Sequence, residues 1–267
     1  IMQNINITLV QTKQFWEDKI KNLEHFAWLL EKQLSHQTDI IVFPEMFHTG
    51  FTMNAALLAE KMEDSLGIDW LRKTAKFKNA LCIASLIIEE NGQFYNRMVA
   101  VHPNGKIEHY DKVHLFTLAK EDEHFSSGNK RTIVEFRGWK ILLQVCYDLR
   151  FPENARNSVS SFGNFEFDAI IYVANWPERR ITHWDKLLPA RAIENQCFVI
   201  AVNRVGADAN NLEYNGSSQI IDALGNYVLN PIQCEESVQS IDLKHDNLED
   251  TRSKLKFLKD RNQRINF

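Results

Sequence analysis

Hydrophobic residues recur along the chain in two rhythms, and each change of rhythm marks a change of element. Residues 5–10 alternate and read as a short strand. Ile20, Leu23, Ala27, Leu30 and Leu34 follow at steps of three and four, which predicts a helix from about Phe15 that buries this stripe. Residues 38–43 form a strand stopped by Pro44, and a second helical stretch spans about 65–79 before a strand at 81–88. Asn91-Gly92 is a strong hairpin signal into a strand at 94–102, and Pro103-Asn104-Gly105 turns the chain again into 106–110.

Residues 112–130 have no period and carry both signs of charge, as expected of a long surface connection overhanging a site. Beyond it the pattern predicts strands at 132–136 and 139–145, joined by a turn at Arg137-Gly138. A helix after Pro152, a buried strand at 169–174, a helix near 179–195 and a strand at 198–203 continue the alternation. Strands at 217–222 and 227–229 flank Gly225-Asn226, and another lies near 238–243. In the closing charged tail, Arg252, Lys254, Lys256, Lys259, Arg261 and Arg264 surround Leu255 and Leu258, predicting a docked helix with a wet face. No linker divides the sequence, so it reads as one α/β domain over 1–267 with a large mixed sheet or a pair of sheets.

Composition narrows the function more than the fold. The chain has 267 residues with a formal net charge of −4, so no global basic field exists to hold nucleic acid or an anionic membrane. Apolar runs reach only six residues, at 169–174 and 197–202, against the roughly 20 that a membrane-spanning helix needs. The first residues, IMQNINITLVQ, lack the basic, apolar and cleavage segments of a secretion signal, so a cytoplasmic protein is expected. Cys82, Cys146, Cys197 and Cys234 lie 64, 51 and 37 residues apart with no CxxC pair, so reduced thiols are expected, three of them in the core. With no HExxH, no zinc spacing, no GxGxxG and no P-loop, no metal and no cofactor is expected.

Three strands end in a reactive side chain: Glu45 after DIIVFP, Lys112 in YDKVHLF, and Cys146 in LLQVCYDLRFPE. Singly, each has an ordinary explanation as a loop carboxylate, a surface ammonium and a small buried thiol. Together, F-P-E-M-F, D-K-x-H-L-F and C-Y-D-L-R-F-P-E occur in one order along the chain, with Tyr95-Asn96, Ser127-Gly128-Asn129, 191–195 and 203–206 as further matches. In these stretches the sequence resembles the nitrilase superfamily of carbon-nitrogen hydrolases. P-E-M-F-x-T-G-F, C-Y-D-L-R-F-P and Ala-Asn-Trp-Pro at 174–177 look most like its ω-amidase branch, enzymes that release ammonia from the terminal amide of 2-oxo acids such as 2-oxoglutaramate. The resemblance implies a four-layer αββα sandwich, a homodimer, and a catalytic Glu, Lys, Cys set that needs no cofactor.

On that resemblance Cys146 attacks the amide carbonyl. A free cysteine with pKa ~8.5 is only about 3% thiolate at pH 7, so a neighbouring base must take its proton, and Glu45 is that base. Lys112, with the backbone N–H of Tyr147, faces the developing oxyanion, a contact worth roughly 3–4 kcal/mol, so its replacement should injure turnover more than folding. A second glutamate, seven residues before Gly128, is Glu121, with Glu123 as the alternative. Asn175, Trp176, Met46 and His48 are candidates to line the substrate pocket, and Arg150, Arg179 and Arg180 to bind a substrate carboxylate. The rival readings are a related hydrolase of N-carbamoyl amino acids or nitriles, a Cys/His peptidase pairing Cys146 with His114 or His183, and a catalytically silent binding module.

Overall fold

The computed structural model describes residues 3–34 and 36–260. Strand β1 (Ile5–Gln11) sends Ile5, Ile7 and Leu9 to one face and Val10 to the other, the period-two alternation of a sheet with both faces covered. Helix α1 (Lys19–Gln33) is capped by the Asp18 carboxylate, which accepts from the Lys21 N–H at 3.0 Å. Its buried face differs from the predicted stripe: Leu23, Phe26, Leu29 and Leu30 are inside, while Ile20 is 55% exposed and Ala27 also faces out. The buried Asn22 side chain explains the rotation, since its amide donates to the Phe15, Asp18 and His48 carbonyls and so turns its own face inward.

Strand β2 (Ile40–Val42), helix α2 (Ala55–Leu58) and helix α3 (Leu66–Lys78) follow, the last begun by a Ser65 cap and ended at Asn79 in the left-handed region. Strands β3 (Leu81–Glu90) and β4 (Gln93–Val101) form the predicted hairpin through Asn91 and Gly92, both at positive φ, and β5 (Ile107–Asp111) pairs with β4. The 112–130 connection contains helix α4 (Glu121–His124), and instead of only covering the surface it carries Lys112 and Glu121 into the interior. Strands β6 (Ile133–Phe136) and β7 (Trp139–Val145) come next. The helix predicted after Pro152 is a single 3₁₀ turn, Pro152–Ala155; beyond it the Asn157 side chain bonds the Phe167 and Asn195 carbonyls and holds irregular chain in place. Strand β8 (Ala169–Val173), helix α5 (Ile181–Asn195), strand β9 (Phe198–Val202), the unpredicted β10 (Val205–Ala207), β11 (Glu213–Ile221), β12 (Tyr227–Gln233) and β13 (Ser237–Leu243) lead to helices α6 (His245–Lys254) and α7 (Phe257–Asp260).

The strands form two mixed sheets, in the orders β13-β1-β2-β3-β4-β5 and β10-β11-β9-β8-β7-β6, with β12 added beside β11. One apolar cluster, including Ile7, Val42, Leu143, Val145 and Ile200, fills the space between the sheets. A second seals α1 and α3 on the first sheet, and a third seals α5 on the second. The result is the expected four-layer αββα sandwich, in which each sheet face is covered by a helix layer or by the other sheet. In the first sheet β1, β2 and β3 run parallel, as do β7, β8 and β9 in the second, so Glu45, Cys146 and Asn175 follow the carboxyl ends of β2, β7 and β8.

Two details correct the sequence reading. Cys82 and Cys197 are core residues, but Cys234 is exposed at a turn beyond β12, where its φ is +62°. In the tail, Arg252 is not on a wet face: it is buried, pairing with Asp168 at 2.8 Å and donating to the Phe167 and Gln196 carbonyls, and with buried Leu248 it docks α6. Arg261 and Arg264 lie outside the described residues. Among the described residues no helix is long and apolar enough to cross a membrane.

Candidate active site

Strand β7 ends at Val145, and Cys146 takes φ +42° before the chain winds into a 3₁₀ turn, Cys146–Arg150. A non-glycine residue in that region costs on the order of 1–3 kcal/mol and persists only where neighbours enforce it. Here Asp148 does so. Its buried carboxylate accepts from the Val145 N–H (3.0 Å), the Tyr110 hydroxyl (2.8 Å), and the backbone N–H (3.0 Å) and Nδ1 (2.8 Å) of His114. The sharp turn lifts the half-buried thiol off the strand end, and the same carboxylate ties it to the segment that carries Lys112.

Beyond β2 the chain turns at Met46, φ +43°, and the turn is held by polar groups from three other segments. The Met46 N–H donates to Ser85 Oγ at 2.8 Å, Gln14 Nε2 donates to the Glu45 carbonyl at 2.9 Å, and Asn175 Nδ2 donates to that carbonyl at 2.6 Å. The Glu45 carboxylate is thereby aimed inward and is fully buried. Its Oε1 accepts from Lys112 Nζ at 3.0 Å and Asn96 Nδ2 at 2.8 Å, and its Oε2 from the Asn175 N–H at 2.9 Å.

Lys112 is positioned through its backbone, where its N–H donates to the Asn96 carbonyl and its own carbonyl accepts from Gly128. Only glycine fits at 128, because a Cβ there would lie 2.1 Å from the Asp111 carbonyl oxygen. The ammonium lies between Glu45 and Glu121, whose Oε2 is 2.8 Å from Nζ. Glu121 also accepts from Asn96 Nδ2 at 3.1 Å and from the Phe116 N–H at 2.7 Å. Glu123, the alternative, is exposed beside Lys120.

Burial works against the Lys112 ammonium, but Glu121 and Glu45 outweigh it and push its pKa above the ordinary lysine value. Burial, opposed by Lys112 and reinforced by Glu45, raises the Glu121 carboxyl. Cys146 is pushed well up, first by desolvation and then by the negative charge of Glu45, which lies within hydrogen-bonding reach. At rest the site therefore holds a neutral thiol beside a carboxylate and a permanent cation. Such a set can supply a nucleophile, a proton acceptor and a charge to meet an oxyanion.

Cys146, Lys112 and Asn175 line a cavity of about 460 Å³, with the Glu45 and Glu121 carboxylates buried behind them. Tyr147, Trp176, Arg150, Arg179 and Arg180 line it as the sequence reading anticipates. Met46 and His48 do not. The turn at Met46 buries its side chain with Ala55, Leu58, Ile87 and Phe125, and His48 is fully buried against Glu60 at 3.2 Å, stacked on Phe47. The two histidines of the peptidase reading have other partners: His114 bonds Asp148 and stacks on Phe151, and His183 Nδ1 lies 3.1 Å from Arg150 Nη1.

Several residues go beyond the sequence reading. Ser85 is a polar group at a fully buried strand position, a signal that could have marked it, since such groups must find partners, and its Oγ donates at 2.9 Å to the Oδ1 of Asn96, which the sequence reading noted without a role. Trp16 and Tyr214 line the cavity with no local signal, whereas Phe51 and Phe116, which also line it, close the P-E-M-F-x-T-G-F and D-K-x-H-L-F stretches. Among the described residues no group of three or more His, Cys, Asp and Glu side chains could hold a metal ion.

Two measurements follow from this geometry. Because the Cys146 pKa is raised, its alkylation by iodoacetamide should keep accelerating with pH beyond the ~8.5 of a free cysteine; a plateau near neutrality, as for a thiolate–imidazolium pair, would contradict the arrangement. Replacing Lys112 should harm folding as well as turnover, because it leaves two buried carboxylates uncompensated. Lys112→Met is expected to lower unfolding free energy in urea by about 3–5 kcal/mol, and Cys146→Ala by much less; equal losses would refute the buried ion triad.

Comparison with known proteins agrees with this geometry. The carbon-nitrogen hydrolase family model matches residues 6–253. The omega-amidase YafV of Yersinia enterocolitica is 47% identical over 224 residues, 84% of each chain. The 2-oxoglutaramate amidase of Bacillus subtilis is 38% identical over 208 residues, 77% of this chain and 78% of that protein. The crystal structure of XC1258 from Xanthomonas campestris, a CN-hydrolase superfamily protein with an arsenic adduct in its active site, superposes with a TM-score of 0.95 at 38% identity, covering 100% of both chains. With its catalytic-type Glu, Lys and Cys gathered at one cavity and this match along almost its whole length, the chain belongs to the carbon-nitrogen hydrolase family.

Proposed function

We propose that this protein is an ω-amidase-like hydrolase, which cleaves the terminal amide of small 2-oxo dicarboxylic acid monoamides, such as 2-oxoglutaramate, to the acid and ammonia. The observation that carries this reading is the contact of Lys112 with Glu45 beside Cys146, at the floor of a cavity with three arginines in its walls. The names of the omega-amidase and 2-oxoglutaramate amidase relatives support the same substrate class.

In the proposed reaction Cys146 Sγ attacks the amide carbon as its proton passes to Glu45. The carbonyl electrons move onto oxygen, where Lys112 Nζ and the Tyr147 N–H meet the charge. Glu45 then delivers the proton to the nitrogen, the C–N bond breaks, and ammonia leaves an acyl thioester on Cys146. Water attacks the thioester while Glu45 takes its proton, the C–S bond breaks, and the proton returns to sulfur as the acid departs. Glu121 acts through Lys112, holding the ammonium in register. Tyr147, Asn175 and Trp176 line the acyl chain's path. Every proton moves between groups of the chain and the reactants, so the cycle runs without a cofactor.

The reading extends to a cytoplasmic enzyme that works as a homodimer, a mass that sedimentation reads directly. Its substrate class is tested by ammonia release from 2-oxoglutaramate, glutamine, N-carbamoyl-β-alanine and a simple nitrile. The expected result is highest kcat/KM on 2-oxoglutaramate; preference for the N-carbamoyl compound or the nitrile would assign the chain to another branch of the family.

A further inference from the structure

Two kinds of wall enclose the cavity. One is cationic, with Arg150 over the Trp176 ring at 4.7 Å from its centroid and Arg180 over Phe116 at 5.2 Å. The other is neutral and largely apolar, formed by Trp16, Phe51, Met53, Leu212 and Tyr214. Lys112 Nζ lies 5.3 Å from the Phe51 centroid, so this second wall begins at the catalytic ammonium. The cavity volume of about 460 Å³ falls among the roughly 300–1,000 Å³ of sites that hold drug-sized ligands, whereas a short primary monoamide carries no apolar group to lay against these rings.

Polar groups outside the cavity hold this wall in place. Trp16 stands in the loop after β1, next to Glu17 at φ +56°. That conformation is enforced from the loop after β2, where the Glu17 N–H donates to the Thr49 carbonyl at 2.7 Å and its carboxylate accepts from Thr52 Oγ1 and Asn54 Nδ2, both at 2.6 Å. The Trp16 ring lies 3.5 Å from where a Cβ on Gly50 would be, and Arg204 Nη1 reaches the same point at 3.9 Å. Arg204 is buried, covers the Tyr214 ring at 4.6 Å and donates to the Ala207 carbonyl at 3.0 Å, while the Tyr214 hydroxyl donates to Asp208 at 2.9 Å. Trp16 and Tyr214 are therefore preorganised, so a group that packs on them loses little to ordering the protein.

We propose that the wall of Trp16, Phe51, Met53, Leu212 and Tyr214 is a leaving-group subsite, and that the enzyme also cleaves secondary monoamides whose nitrogen carries a neutral apolar group such as benzyl. This inference rests on the amidase reading above for the acyl half of the substrate. The acyl chain runs along Tyr147, Asn175 and Trp176, and in a trans amide the substituent on nitrogen points away from it. Phe51 and Met53 also follow the turn that carries Glu45, the group that protonates the departing nitrogen. The step is the one drawn for a primary amide: the C–S bond forms, the thiol proton passes through Glu45 to nitrogen, the C–N bond breaks, and a primary amine leaves in place of ammonia. A substituent with its own positive charge is disfavoured, since Lys112 and Arg204 already stand on the Phe51 and Tyr214 rings.

The test follows amine release from N-benzylsuccinamate and N-methylsuccinamate, with ammonia release from succinamate and 2-oxoglutaramate as primary-amide references. The readout is the ratio of kcat/KM for the benzyl over the methyl compound in the wild type, in Trp16→Ala and Leu212→Ala, and in Phe77→Ala, which removes a ring 84% exposed on α3 as a remote control. The wild type is expected to favour the benzyl compound about tenfold or more, Trp16→Ala to bring the ratio near one, Leu212→Ala to lower it in part, and Phe77→Ala to leave it unchanged. A wild-type ratio near one, or a preference that both Trp16→Ala and Leu212→Ala leave intact, overturns the subsite. Release of neither amine also overturns it; the amidase reading then stands if ammonia comes from either primary amide, and falls as well if it comes from neither.

Discussion

The site depends on one buried interaction, the Lys112 ammonium held between the Glu45 and Glu121 carboxylates with all three side chains fully shielded from water. Bringing charges out of water is costly, and the cost is offset only when geometry is tight and every remaining lone pair and proton has a partner. This site meets that condition from several directions: Asn96 bridges both carboxylates, the Asn175 N–H caps Glu45, and the Phe116 N–H caps Glu121. These partners come from β4, the end of β8 and the long connection after β5. The triad itself hangs from the first sheet and the connection after β5, and its Asn175 contact ties it to the second sheet.

That arrangement explains the resting state of the nucleophile. Many thiol enzymes store a thiolate against a cation, but here burial and then the Glu45 charge outweigh the Lys112 ammonium, so the thiol keeps its proton. Activation is then a transfer to Glu45 at the moment of attack, not a preformed charge. The permanence of the Lys112 charge supplies the complementary half, because a cation that cannot titrate near neutrality meets the oxyanion without reorganising. The strained turn at Cys146 and its Asp148 clamp keep sulfur at the distance where both events are possible.

How much of this is legible in the sequence follows from what each element answers to. The hairpin at Asn91-Gly92, the helical stretch over about 65–79 and the apolar strands are written in local residues, and the structure agrees with them. Helix α1 was legible in existence but not in rotation, since Asn22 takes its partners from residues 15, 18 and 48, one of them far along the chain. Glu45, Lys112 and Cys146 could be singled out by their motifs, and the spacing implied by the family resemblance, counted back from Gly128, reached Glu121. Met46 misleads, as strand-end position says nothing of which way a left-handed turn sends the side chain. Trp16 and Tyr214 were illegible, because their presence in the cavity depends on how distant loops meet.

The central claim is that Cys146 carries the acyl group between two half-reactions, and rapid acid quench during the first turnover of 2-oxoglutaramate tests it most directly. Intact mass and peptide mapping should find one acyl group, the substrate less ammonia, on Cys146 and none on Cys82, Cys197 or Cys234. Stoichiometric ammonia release with Cys146 unmodified, or an adduct on another residue, would contradict the account.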